Sequence, residues 1–137
     1  MSEEKLFEIR KVVTMTLIKI GIRCDLCGFD YLRYAIELVI QDPTLTRGVC
    51  KRLYVMISEH FKANVACVER SIRHAIETTY IFKNFNNLNE MLGMVLFSIK
   101  EKPTVVELIR IVAEYYNLGL YKDEVKKETY NFKQKGM

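Results

Sequence analysis

FKANVACVERSIRHAIETTYIF, residues 61 to 82, reads as one helix with two different faces, entered through the short turn Lys62, Ala63 and Asn64. At about 100° per residue, Val65, Val68, Ile72, Ala75, Ile76 and Thr79 fall in one apolar arc, whereas Ala66, Glu69, Arg70, Arg73 and Glu77 fall opposite. One face is therefore core and the other is free. Upstream, Cys50, Leu53, Tyr54, Ile57 and Phe61 repeat at helical spacing, from a start as early as Thr46. Two helices joined by so short a turn must meet at a tight corner, the shape of a helix-turn-helix.

The rest of the chain extends this pattern. Leu6, Ile9, Val13, Thr16, Leu17 and Ile20 predict a first helix from Glu3 to Ile20, closed by Gly21. Phe29, Leu32, Ala35, Ile36 and Val39 predict a second, which Asp42 and Pro43 end because a residue before proline disfavours helical angles. Beyond Phe82, Asn87 with Glu90 resembles a capping box ahead of a short helix carrying Leu88, Met91, Leu92 and Val95. Thr104 with Glu107 is a cleaner one, and Val105, Leu108, Ile109, Val112, Tyr115 and Tyr116 supply a helix ending near Gly119. No useful β-alternation occurs, so the class is all-α, a bundle of about six helices containing the helix-turn-helix. Residues 1–120 form the helical domain. Residues 121–137, rich in lysine, predict a charged tail, frayed or held by a partner.

With 137 residues, 50% of them apolar, the chain can bury a core without disulfides or metal. No stretch approaches a membrane span, and MSEEKLFEIRK lacks the apolar centre of a signal peptide, so a cytoplasmic protein is expected. The net charge of +4 decides little by itself. Its distribution is more informative: Arg47, Lys51, Arg52, Lys62, Arg70 and Arg73 face only Glu59 and Glu69 across the central segment.

Four cysteines admit a metal reading, since Cys24 and Cys27 have C-x-x-C spacing and Cys50 and Cys67 complete the number. Small buried thiols are the better reading, because the second pair lacks that spacing and the core needs no metal. A redox motif would need a βαβ context that is missing. No glycine-rich phosphate loop and no H-E-x-x-H occur, and His60 and His74 stand without paired acids. The sequence thus predicts no enzyme, no cofactor, no metal and no small-molecule substrate.

GFDYLRYAI (28–36), VERSIRHAIE (68–77) and KPT (102–104) with Glu107 together resemble the DNA-binding effector domain of the stage zero sporulation response regulator, over Thr14 to Tyr116. The resemblance implies a six-helix domain whose helix from Val65 to Phe82 enters the DNA major groove, and a role in transcription control during entry into sporulation. It also implies Glu69, Arg70 and Arg73 as base readers. Chemistry agrees in kind, because a guanidinium can donate two parallel bonds to guanine and a carboxylate can accept from cytosine. The competing reading of these three is a solvated face with pairs such as Glu69 and Arg73, each worth about 0.2–0.5 kcal/mol.

Lys51, Lys62, Asn64 and Ala66 are candidate DNA-backbone contacts. Double-stranded DNA is the expected partner, with RNA polymerase and a second copy of the chain as further ones. Departures from the family pattern are Ala63 and Asn64 in place of a threonine-rich turn, and Cys67 in place of an arginine, which implies a missing phosphate contact. Tyr80 to Lys83 replaces Trp-Ser-Arg-Gly, leaving Phe82 and Phe85 as core or interface. The residues ahead of Thr14 are too few for a phosphorylated receiver domain, whether the domain is natural or excised. A protein-interaction module using the helix from Val105 to Tyr116 is the alternative, although core packing is the better reading of most of its positions.

Overall fold

The computed structural model describes residues 1–95 and 101–122, and the side chains of residues 49 and 50 lie outside that description. Among the described residues every regular element is helical. Helix α1 (Glu3–Ile20) starts on Ser2, whose hydroxyl accepts from the Lys5 N–H at 3.2 Å. It stops at Gly21, where φ is 99°, a conformation that costs other residues more than glycine. Helix α2 (Cys27–Gln41) ends at Asp42, as the following proline requires.

Between α2 and the central pair the chain departs from the expected single helix. Pro43–Gly48 is 3₁₀-helical, Val49–Leu53 makes a π-helical turn, and only Tyr54–Phe61 is the α-helix α3. Within this stretch the adjacent Leu53 and Tyr54 both reach the core, as their spacing predicts. The predicted corner is present. Lys62 takes a left-handed conformation (φ 55°) and the Ala63 N–H donates to the Ser58 carbonyl at 3.0 Å. Asn64 then caps helix α4 (Val65–Ile81), its side-chain oxygen accepting from the Cys67 N–H at 2.7 Å.

Helix α5 (Phe85–Leu92) starts earlier than expected and does not use Asn87 as its cap. Asn87 instead donates through Nδ2 to the Ile20 carbonyl, and Asn84 donates likewise to the Gly21 carbonyl, each at 3.1 Å. Both asparagines satisfy the open carbonyls at the end of α1. The helix also ends before Val95, which is exposed. Helix α6 (Val105–Asn117) carries the expected capping box: the Glu107 N–H donates to Thr104 Oγ1 at 3.1 Å and the Thr104 N–H donates to Glu107 Oε1 at 3.2 Å.

Helix α2 is the centre of the bundle, packing against α1, α3, α4 and α6, while α5 lies on α1. Its first turn approaches α4 so closely that a Cβ at Gly28 would stand 2.2 Å from the Ser71 carbonyl oxygen. One buried acid, Glu37, is paired with Arg10 Nε at 3.1 Å, which answers the cost of removing a carboxylate from water. In α6 the residues Leu108, Ile109, Val112, Ala113, Tyr115 and Tyr116 are buried, so that helix is core. Tyr121 stacks on Tyr116 with ring centroids 5.5 Å apart, and the remainder of the expected tail, residues 123–137, lies outside the described residues.

One correction concerns the cysteines. Cys24 and Cys27 are exposed rather than buried, because Ile22 and Phe29 are the residues that turn inward around them. The Cys50 side chain lies outside the described residues. Phe85 is core, and Phe82, expected as core or interface, is 64% exposed beside Ile81 at 63% where the chain leaves α4, so it is not core.

Candidate nucleic-acid interface

The apolar arc read from the sequence is the buried face of α4: Val68, Ile72, Ala75, Ile76 and Thr79 are buried, and the Thr79 hydroxyl is satisfied by the Ala75 carbonyl at 2.7 Å. That anchoring fixes which residues point outward. Arg70 and Arg73 are exposed, one turn apart within the N-terminal half of the helix. Glu69 and Glu77 are half-buried, on the shoulders of the free face rather than its crest.

Pairing separates the two arginines. Arg73 Nη2 lies 2.7 Å from Glu69 Oε1, an i, i+4 pair along the helix. Arg70 makes no ion pair among the described residues. Its guanidinium is thus the one of the two whose donors face water alone. The expected trio therefore splits into a free guanidinium and a linked carboxylate and guanidinium.

The expected backbone contacts are placed differently from one another. Ala66 is exposed on the first turn of α4, Asn64 has its oxygen committed to the cap, and Lys62 is exposed on the corner. Lys51 is exposed in the π-helical turn, which packs against α3 and the 3₁₀ helix. Arg52 beside it is drawn toward Asp42, 3.7 Å away. Cys67 is half-buried at the flank of α4, where a long cationic side chain would otherwise reach outward.

One neighbour of the site was not read from the sequence. An open cavity of about 710 Å³ runs from Glu69, Arg73, His74 and Glu77 to Lys102 through Val106. Lys102 Nζ pairs with the Glu77 carboxylate and ties the segment ahead of α6 to α4. The signal for it was the unassigned acid Glu77 on the free face. His74 is exposed at the rim and His60 stacks on Tyr34 with ring centroids 4.0 Å apart.

Among the described residues no three histidine, cysteine or acidic side chains come close enough to hold a metal ion. Among them, too, no helix is long and apolar enough to cross a membrane. Compared with known protein families, residues 13–116 match the family model described as "Sporulation initiation factor Spo0A C terminal".

Proposed function

Because the chain belongs to the Spo0A C-terminal family, a family of DNA-binding effector domains of a sporulation regulator and not of enzymes, we propose that it is a sequence-specific transcription regulator that reads double-stranded DNA with α4. In this reading α3, the corner at Lys62 to Asn64, and α4 are the helix-turn-helix of a DNA-binding domain spanning residues 1–120, followed by a charged tail. Helix α4 lies in the major groove, which admits one α-helix, with its N-terminal half toward the base edges.

The observation that carries the proposal is the pair of exposed guanidinia on adjacent turns of a helix whose opposite face is fixed in the core. Arg70, already free, donates two parallel bonds to guanine O6 and N7. Arg73 does the same while Glu69 holds its guanidinium on the helix face or accepts from a cytosine amine. Lys62, Lys51, the polar end of Asn64 and the backbone at Ala66 contact phosphates. RNA polymerase and a second copy of the chain are the further partners proposed.

A fluorescence anisotropy titration with a duplex carrying the family's recognition box, and with a scrambled duplex, tests this at two salt concentrations. Specific binding falls with salt at a slope of about 0.9 per neutralised phosphate. Arg70→Ala costs about 1–3 kcal/mol on the cognate duplex alone. Equal weakening on both duplexes would remove Arg70 from base reading, and no binding at low salt would overturn the proposal.

A second reading has its own observation. The exposed Ile81 and Phe82 at the end of α4 are an apolar pair suited to a protein partner, which would make the domain an interaction module that binds DNA weakly. Failure to bind DNA, together with association lost on Phe82→Ser, would select it.

A further inference from the structure

Cys24 and Cys27 are both exposed, free thiols in a C-x-x-C, one in the turn ahead of α2 and the other the first residue of that helix. The turn is compact: the Leu26 N–H donates to the Arg23 carbonyl at 3.4 Å and the Phe29 N–H to the Leu26 carbonyl at 3.0 Å. The next residue is Gly28, whose Cα has no room for a side chain against the Ser71 carbonyl of α4. Cys27 therefore immediately precedes the residue at which α2 bears on α4, and Cys24 lies in the turn leading to it.

From this juxtaposition we infer that Cys24 and Cys27 form a reversible dithiol–disulfide site whose oxidation displaces α4 and weakens DNA reading. The DNA half of this inference rests on the proposed function; the thiol half does not. A low-molecular-weight disulfide supplies the oxidising equivalents. One cysteine thiolate attacks it, forming a mixed disulfide and releasing one small thiol, and the second cysteine displaces the other. The protein gains one S–S bond and loses two hydrogens, which leave on two molecules of small thiol.

The bond would need the two Cα atoms within about 7 Å and the sulfurs turned toward each other. Residues three apart at the mouth of a helix reach this by a local adjustment of the first turn. That turn holds Gly28, and it cannot move toward α4 without the Ser71 backbone giving way. It therefore lifts from α4 or pushes it, and in both cases Arg70 and Arg73 lose their positions relative to the rest of the domain.

A second route to α4 competes. Burial, and after it the electrostatic influence of Cys67 and Cys27, pushes the Tyr31 phenol above its ordinary range. A bond between Cys27 of α2 and Cys67 of α4 is the competing product. The separation of Cys24 and Cys27 by two residues favours the local pair, because closing a short loop costs less.

The test incubates the full chain with oxidised glutathione and reads three properties: intact mass with peptide mapping, amide hydrogen exchange, and DNA affinity. The expected results are a mass lower by two hydrogens with the bond mapped to Cys24 and Cys27, faster exchange over residues 65–81 with α6 unchanged, and cognate binding weaker by about fivefold or more. Dithiothreitol reverses all three, and Cys24→Ser abolishes them. A persistent glutathione adduct, a Cys27–Cys67 bond, or a Cys24–Cys27 bond without altered exchange in α4 would each overturn the inference. Normal oxidation and altered exchange in a protein that binds no DNA when reduced would instead refute the DNA reading alone and leave the thiol site standing.

Discussion

Replacing Gly28 with alanine adds one methyl group at the closest approach of two helices, and its effect can be worked out in sign and size. The new Cβ would lie 2.2 Å from the Ser71 carbonyl oxygen, 2.8 Å from its carbonyl carbon and 2.9 Å from the Ala75 Cβ. Two of those three atoms are backbone, so no side-chain rotation relieves the contact. The helices must part by roughly 1 Å to restore ordinary van der Waals distance. Overpacking of this kind costs about 1–3 kcal/mol. Against it stands the better helix propensity of alanine, at most about 1 kcal/mol and less in a first turn.

The net expectation is a loss of about 1–2 kcal/mol, with a melting temperature lower by about 3–5 °C for each kcal/mol at this chain length. Urea unfolding followed by circular dichroism reads it as a lower midpoint with an unchanged slope. Gly93→Ala is the control, since Gly93 has φ 70° and nothing within 4 Å of a Cβ. Its cost is backbone alone, about 1–2 kcal/mol. The two variants separate in DNA affinity, which falls for Gly28→Ala and holds for Gly93→Ala. A Gly28→Ala protein as stable as the parent would refute the account of the α2–α4 contact.

Two further outcomes follow from the same geometry. A double-mutant cycle with Glu69→Ala and Arg73→Ala, read as cognate DNA affinity, gives a coupling of about 0.5–3 kcal/mol, whereas the stability cycle of the free protein gives only about 0.3–0.5 kcal/mol because the pair is solvent-facing. Additive losses in DNA affinity would show that the two residues act separately. Thr104→Ala removes one half of the α6 capping box and lowers stability by about 1 kcal/mol in thermal unfolding, and Thr104→Ser restores most of it. Equal stability of all three proteins would show that the box is idle.

Much of this architecture was legible because local chemistry and packing agree. Gly21 marks the end of α1 in the sequence and adopts the left-handed conformation that only glycine takes cheaply. The two-faced pattern of α4 survives because its apolar residues repeat at helical spacing along a fully packed face. The start of α5 was misread because Asn87 has the residue type of a cap but lies inside the helix, where its Nδ2 donates to the Ile20 carbonyl, 67 positions away. Sequence spacing does not reveal so distant a partner.

The π-helical turn at Val49–Leu53 was hidden by the same limitation. One extra residue in the turn still leaves Leu53, Tyr54 and Ile57 buried at plausible helical spacing, so the apolar pattern does not betray it. At the candidate interface, Glu69 and Arg73 were visible as an i, i+4 pair and are one. The freedom of Arg70 became apparent only with its neighbours in place, as did the approach of Lys102 to Glu77. The exposure of Cys24 and Cys27 escaped notice because a cysteine is apolar enough to be assigned to a core by default.

The two asparagines that close the end of α1 tie together segments lying 63 and 67 positions apart along the chain. Neither amide can reach its carbonyl until α5 has docked, so early in folding Gly21 closes α1 locally while the Ile20 and Gly21 carbonyls stay open to water. In the native state the same bonds join the end of α1 to α5, so loss of either asparagine amide would loosen both elements together.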